Sequence, residues 1–368
     1  MNIAYLITRL KKGPGPINQA LNLATAMKKL GVNFYIVCIS PEIPNHSWEQ
    51  RFVDADVSVV HLNRSMYDFV GIRQALKKII RELHIDVIHS SGLRPDLCNV
   101  MLGSMVPHVT TQRCEPCNIG EVEHGLVKWG MEKVQCFSLK HFDKVIACSE
   151  SLAHILNEDY QIPCGCVQNG VNVDTFHSVD ESTCMTYRKE LGLPTDKILY
   201  VYMGSFWPRK DISTLLEAFK QEKDHRVLVV VGGTAELVDR YRQKYPSANI
   251  IFTGRKDFPV KYLQCGNFGI SASLSEGLPN TILESLACGL PVVLSDIGPH
   301  EEILNEGDIG VDFHVKDVNS LRLALDCIEA MNYNILRQNC LDVVEHHFSK
   351  YVTAKKYIQV YNEILTKK

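Results

Sequence analysis

Hydrophobic positions along the chain fall into short apolar runs separated by amphipathic stretches. Asn2–Ile7, Asn33–Ile39, Val57–Leu62, Asp86–His89, His108–Thr111 and Lys144–Cys148 read as strands, each brief and bounded by turn-forming or charged residues. Between several of them the period changes. Ile17–Leu30, Val70–Leu83, Val127–Phe142 and Glu150–Asn157 repeat apolar residues at helical spacing. Gly31 stops the first of these helices, and Gly13 to Pro16 reads as the loop before it. Buried runs alternating with helices predict a doubly wound parallel sheet.

The turn-rich stretch Asn169–Asp174 interrupts this alternation, which then restarts. Ile198–Met203, Arg226–Val231, Asn249–Thr253, Phe268–Ser271 and Pro291–Ser295 read as a second strand series, each followed by a helical segment. The expectation is an α/β protein with two Rossmann-like domains, residues 1–168 and 169–350. A final helix, 351–366, places Tyr357, Val360, Tyr361 and Ile364 on one face. No repeat of 20–50 residues is visible.

Composition narrows the picture. A length of 368 residues accommodates two domains, and 45% hydrophobic with 22% charged residues excludes a disordered or collagen-like chain. With 39 Lys+Arg against 42 Asp+Glu the net charge is −3, which argues against a general nucleic-acid binder. No run approaches the roughly 18–20 apolar residues that span a bilayer. The apolar segment Ile3–Ile7 is followed, not preceded, by Arg9, Lys11 and Lys12, the reverse of a secretory signal. The expected location is cytoplasmic, with any membrane contact peripheral.

The 13 cysteines are odd in number and read as free thiols. Cys114 and Cys117, flanked by His108 and His124, and the pair Cys164 and Cys166 lack finger-like zinc spacing, so no metal site is expected. Asp54 and Asp56 imitate a D-x-D metal motif but lie far from the phosphate-type segment described next.

That segment is SEGLPNTILESLACGLPVV, residues 275–293. A strand ends near Ser271, and a loop of small residues leads into a helix with Pro279 at its start. Proline is tolerated there because the first helical amides have no intrahelical partner. Amides around Gly277, Leu278, Asn280 and Thr281 then sit at the positive end of the helix dipole, a site suited to a diphosphate. Glu284 lies inside the helix, where a carboxylate fits as acceptor from two vicinal hydroxyls such as a ribose diol. Glu276 precedes the helix and is aimed at whatever is attached to the phosphates.

The two glutamates, eight positions apart within EGLPNTILE, resemble the E-x7-E signature of retaining GT-B glycosyltransferases, most closely family 4 of the glycosyl transferases group 1 superfamily. Further similarity runs along the chain: Gly13 to Pro16, Asp86–His89, Ile146–Ser149, Asn169–Phe176, Gly204–Lys210 and Thr253–Gly254. The resemblance implies two Rossmann-like domains facing a cleft. The acceptor would lie on the N-terminal domain and the nucleotide-sugar donor on the C-terminal one, with the last helix packed back on the N-terminal domain.

Carried over by resemblance, Glu276 contacts donor-sugar hydroxyls, Glu284 the ribose, and Lys210 the phosphates, with Arg209 adding a forked contact. Gly204, Ser205, Gly254, Arg255 and Pro279 line the donor, and Gly13 and Gly15 approach it from the other domain. Two positions depart from the pattern. Ser205 stands where many members have arginine, and Arg113 stands where many have histidine, so that Arg113 is either a charge toward phosphate or acceptor or a structural partner of Glu115. His89, ending a buried strand, reads mainly as a core histidine.

The implied activity is retaining transfer of a hexose from a nucleoside-diphosphate sugar, UDP foremost, to a glycan or lipid-linked acceptor in surface polysaccharide synthesis, with neither metal nor cofactor. A nucleotide-sugar epimerase and a non-catalytic sugar-nucleotide-binding protein are the alternatives. Lys128, Lys133, Lys140 and Lys144, interleaved with Trp129, Val134, Phe137 and Phe142, add a candidate for contact with an anionic membrane at its inner face.

Overall fold

The computed structural model describes residues 1–13, 15–65, 67–116, 125–220, 223 and 225–367. The chain divides into two compact units, one formed by Met1–Gly170 with the segment from Lys350 onward, the other by Val171–Ser349.

The first unit is built on β1 (Asn2–Ile7), β2 (Asn33–Cys38), β3 (Ser58–His61), β4 (Val87–Ser90), β5 (His108–Gln112), β6 (Lys144–Ala147) and β7 (Cys164–Cys166). The sheet order is β3-β2-β1-β4-β5-β6-β7, parallel throughout. Successive strand residues point to opposite faces, so one strand feeds two cores. Ile3, Tyr5 and Ile7 join a cluster with Ile17, Ala20 and Leu21 of the Gly15–Lys29 helix, while Ala4 and Leu6 join Ile72, Leu76 and Ile88 on the other face. Tyr357, Val360, Tyr361 and Ile364 of the Lys350–Leu365 helix complete the first cluster.

The second unit holds β8 (Ile198–Met203), β9 (Arg226–Val231), β10 (Ile250–Gly254), β11 (Phe268–Ser271), β12 (Val292–Ser295) and β13 (Gly310–Phe313). Their order is β10-β9-β8-β11-β12-β13, again parallel. Strand order reverses between β1 and β4 in one sheet and between β8 and β11 in the other. Loops leaving the carboxyl ends of strands at such a reversal form the usual binding crevice of an open α/β sheet.

Several local expectations shift. Gly15 and Pro16 belong to the first turn of the Gly15–Lys29 helix rather than to the loop, since proline tolerates that position. Pro279 is the N-cap of the Asn280–Ala287 helix, one residue earlier than expected. Cys164 and Cys166 lie in the edge strand β7, and β13 also escaped the sequence pattern; both strands are short and contain glycine. Lys144 opens β6 and so is not part of the basic helix. Gly170, within the expected linker, is held firmly: its carbonyl accepts from Gln19 Nε2 and Asn22 Nδ2, each at 2.9 Å. A side chain there would meet Lys350 Cα at 2.8 Å, so glycine is required by close approach.

Candidate functional site

In the second unit the loop after β8 and the loop after β11 are joined by backbone, Leu274 N donating to Arg209 O at 2.7 Å. The β8 loop runs through Gly204 and exposed Ser205 into a single 3-10 turn, Pro208–Lys210, and closes on Asp211 in the left-handed region. Gly232, φ +144°, follows β9 and allows this packing: a Cβ there would lie 1.8 Å from Gly204 O.

Arg209 and Lys210 both turn onto Glu276. Arg209 Nη1 lies 2.8 Å from Glu276 Oε2 and donates also to Ser275 O at 2.8 Å. Lys210 Nζ pairs with Oε1, which accepts in addition from Ser273 Oγ at 2.7 Å. Burial pushes the Glu276 carboxyl up, but Lys210 and Arg209 outweigh it and hold the pKa at about 2. Glu276 is therefore a fixed anion at neutral pH and has no proton to give.

Behind it runs a chain of hydrogen bonds that sequence reasoning did not find. His300 Nδ1 donates to Ser295 O at 2.8 Å, and Ser295 Oγ donates to Ser273 O at 2.6 Å. The His300 ring is fully buried, its Nε2 bonds to nothing, and burial lowers its pKa to about 4, so the ring is neutral. The only signal was a Pro-His pair opening the Gly298–Leu304 helix, which carries no chemistry without its partners.

The Asn280–Ala287 helix has no side-chain cap, and its dipole makes the N-terminal end favourable for an anion. Leu278 and Pro279 are buried, whereas Gly277, Asn280, Thr281 and Glu284 are half-buried. Gly254, φ +69°, and exposed Arg255 end β10, two strands from β8. They share the carboxyl edge but make no ion pair with the Glu276 cluster.

The other named residues belong to the first unit. Gly13 takes φ +103° in the loop before the Gly15–Lys29 helix. Arg113 donates from Nη1 to Asn169 Oδ1, so of the two readings offered for it the alternative pairing with Glu115 is replaced by one with Asn169. His89 is a buried core histidine: Nδ1 meets Tyr361 Oη and Nε2 meets Thr111 Oγ1, both at 2.7 Å. Asp56 pairs with Lys28, which accounts for the accidental D-x-D. Asp96, fully buried, accepts from Ser90, Thr110 and Gln112, yet burial lifts its pKa to about 6.

For metals, Cys117 and His124 lie outside the described residues, and His108 is occupied by Asn99 and the Gly103 carbonyl. Among the described residues Cys38, Glu42 and His61 converge within 4.8 Å. Glu42 already accepts from Leu10 N and His61 pairs with Glu49, so the group satisfies itself.

Two doubly wound parallel sheets, one carrying a cation–carboxylate cluster beside an uncapped helix at its reversal point, give a GT-B fold, and the family matches make it a glycosyltransferase. Residues 185–359 match the family Glycosyl transferases group 1 and residues 15–175 match Glycosyltransferase Family 4. The chain belongs to this family. It is similar to the O-antigen biosynthesis glycosyltransferase WclY of Escherichia coli, 25% identical and covering 93% of this chain and 97% of that one. It is also similar to the UDP-Gal:alpha-D-GlcNAc-diphosphoundecaprenol alpha-1,3-galactosyltransferase of Escherichia coli, 22% identical over 80% of this chain and 79% of that one. Among solved structures, the sucrose-phosphate synthase from Thermosynechococcus elongatus superposes over the full length of both chains, with TM-score 0.81 and 19% identity.

Proposed function

We propose that this glycosyltransferase is a retaining hexosyltransferase that uses a nucleoside-diphosphate sugar, UDP foremost, and a lipid-linked glycan acceptor in surface polysaccharide synthesis. The observation that carries the reading is the Arg209–Glu276–Lys210 cluster beside the N-terminal end of the Asn280–Ala287 helix. Breaking a sugar–phosphate bond leaves added negative charge on the diphosphate, and fixed cations and amides stabilise that state more than the ground state. Lys210, Arg209 and the helix end supply such charge without a divalent ion. Glu276, ionised and triply bonded, suits holding sugar hydroxyls rather than acid catalysis. The acceptor hydroxyl then forms the new C1–O bond as the C1–O phosphate bond breaks, its proton passing to the departing phosphate oxygen. Glu284 would hold the ribose.

A lipid-linked acceptor is supported by the named substrate of the galactosyltransferase relative and by the Leu126–Leu139 helix. That helix buries Gln135, Ser138 and Leu139 and leaves Leu126, Val127, Trp129 and Phe137 at 61–87% exposure. Apolar exposure of this kind marks an interaction surface, and Lys133 and Lys140 give it the charge for an anionic inner leaflet. No helix among the described residues is long and apolar enough to cross a membrane, so the contact would be peripheral.

The test is to incubate the protein with UDP-sugars and follow free UDP, with and without a polyprenyl-diphosphate-linked sugar, in EDTA. UDP release that requires acceptor and survives EDTA is expected. Sugar isomerisation without acceptor would mark an epimerase, binding without turnover a sensor, and loss under EDTA restored by Mn²⁺ would overturn the metal-free site.

A further inference from the structure

The first unit contains a second concentration of positive charge that the donor chemistry does not use. Arg94 is the second residue of the Leu93–Val100 helix, which leaves the carboxyl end of β4. Arg9 stands two residues beyond the end of β1. These are the two strands between which the sheet order reverses. Arg94 Nη1 donates to Ser40 Oγ at 2.6 Å, and Ser40 N in turn donates to Thr8 O at 2.9 Å, which fixes the group across the β1, β2 and β4 ends.

The remaining donors of this guanidinium are unanswered. Arg94 Nε and Nη2 are both out of contact with solvent and bonded to nothing. Neither Arg94 nor Arg9 forms an ion pair among the described residues. Asp96, two residues along the same helix, is turned to Ser90, Thr110 and Gln112, and Glu42, the acidic residue nearest Arg9 in sequence, accepts from the Leu10 amide. Arg9 lies close enough to add to the effect of burial in lowering the Arg94 pKa. A native structure rarely leaves buried donors unpaired, and an uncompensated guanidinium beside a second one is costly unless an anion completes it. The two free donors, Nε and Nη2, form one edge of the fork that grips a phosphate or carboxylate with two parallel bonds. Arg94 as a whole residue is part-exposed, so its guanidinium lies near the surface of the first unit while Ser40 keeps hold of Nη1.

We infer that Arg94 and Arg9, at the β1/β4 reversal, form a phosphate subsite that anchors the diphosphate of the acceptor. The inference rests on the proposed lipid-linked acceptor and names the residues that would read it. Arg94 supplies the forked contact, Arg9 the second charge, and Ser40 holds the guanidinium in place. The subsite belongs to the first unit and shares no residue with the Glu276 cluster.

The test uses the full chain and two titrations. UDP is titrated first, which examines the donor reading by itself. With UDP saturating, inorganic pyrophosphate, farnesyl diphosphate and malonate are then titrated into the wild type, Arg94→Gln, Arg94→Lys and Arg9→Gln. Both diphosphates should bind the wild type, and malonate at least tenfold more weakly. Arg94→Gln should weaken both diphosphates tenfold or more, Arg94→Lys should restore part of that loss, and UDP affinity should stay within twofold throughout. The melting temperature of Arg94→Gln without ligand should hold or rise, because a buried unpaired charge has been removed. Pyrophosphate binding that is absent in the UDP-saturated wild type, or unchanged in Arg94→Gln, overturns the subsite. A fall of several degrees in melting temperature would show a structural arginine and overturn it too. Loss of UDP binding in the wild type would instead count against the donor reading.

Discussion

Lys210 and Glu276 form an ion pair largely withdrawn from water, with 15% and 7% of their side-chain surfaces exposed. Arg209, on the other carboxylate oxygen, is 49% exposed. The two cations are therefore unequal. Charge–charge interactions strengthen as water is excluded, so Lys210 should contribute more to the leaving diphosphate than Arg209.

A charge-assisted hydrogen bond contributes about 1.5–3 kcal/mol, so Lys210→Ala should slow transfer by roughly ten- to a hundred-fold. If the contact tightens as the bond breaks, kcat falls together with kcat/KM. Arg209→Ala should cost less on both. Steady-state kinetics on the two variants check the order, and an Arg209→Ala defect exceeding that of Lys210→Ala would reverse the assignment.

Stability against pH should resolve Glu276 in a window of its own, whereas His300 and Asp96 oppose each other over nearly the same range, so that each shows when the other is removed. Glu276 has a folded pKa of about 2 against an ordinary 4.5, so its contribution is complete above pH 4.5 and is lost as pH falls through 2. His300, at about 4 against 6.5, contributes fully above pH 6.5 and loses that as pH falls through 4. Asp96 in the first unit has the opposite sign: at about 6 against 3.8, it contributes below pH 3.8 and loses that as pH rises through 6. At about 1.4 kcal/mol per pH unit, each amounts to about 3 kcal/mol. In denaturant melts Glu276→Gln should lose the acid-side decline below pH 4.5, His300→Asn should uncover a loss of stability as pH rises from 4 to 6, and Asp96→Asn should uncover a loss as pH falls from 6.5 to 4. An Asp96→Asn protein with no decline between pH 6.5 and 4 would show that the groups are misassigned.

What could be read ahead of the structure follows from the range over which each signal acts. Strand–helix alternation and the spacing of Glu276 and Glu284 are local, and the sheets and the site helix appear where the pattern put them. Three-residue Cys164–Cys166 is too short for a period to register, and Gly310–Phe313 breaks its apolar run with Gly310 and Asp312. Partners are harder still. Ser273, Ser295 and His300 connect across 22 and 5 residues, Arg113 reaches Asn169 across 56, and Arg94 reaches Ser40 across 54. Nothing in residue type announces such pairs. The separation of Arg209 and Lys210 from Glu276, 67 and 66 residues, was bridged only by family resemblance, which assigned the three to one donor site without their mutual pairing.

The Leu126–Leu139 helix makes its own prediction. It is tied to the sheet partly through Gln135 Nε2 to Gln112 Oε1 at 3.0 Å, a polar attachment that leaves the aromatic face outward. Trp129→Ser with Phe137→Ser should cut binding to anionic vesicles at least tenfold while leaving UDP affinity unchanged. Lys133→Gln with Lys140→Gln should abolish the preference for anionic over neutral vesicles, since each basic residue contributes about 1 kcal/mol near such a surface. Vesicle co-sedimentation measures both. Equal sedimentation of wild type and aromatic double variant would remove this helix from the membrane reading.

The two glutamates should part company in their effects. Glu284 lies one turn inside the Asn280–Ala287 helix, where the proposed ribose contact is remote from the breaking bond. Glu284→Gln should therefore weaken UDP and UDP-sugar alike. Glu276 faces the sugar in the proposed mechanism, and its replacement has two opposed consequences. Lost contact with sugar hydroxyls lowers kcat, whereas Lys210 and Arg209, released from their carboxylate, become freer to hold phosphate. Glu276→Gln should thus keep or even strengthen UDP affinity while cutting kcat. Retaining hydrolases set two carboxylates about 5 Å apart around the reacting carbon, but here Glu276 is engaged by two cations and Ser273, which makes it a poor nucleophile. Calorimetric titration of UDP into both variants, beside turnover measurements, decides the roles. If Glu276→Gln loses UDP as severely as Glu284→Gln, Glu276 serves the nucleotide and the sugar contact must lie elsewhere.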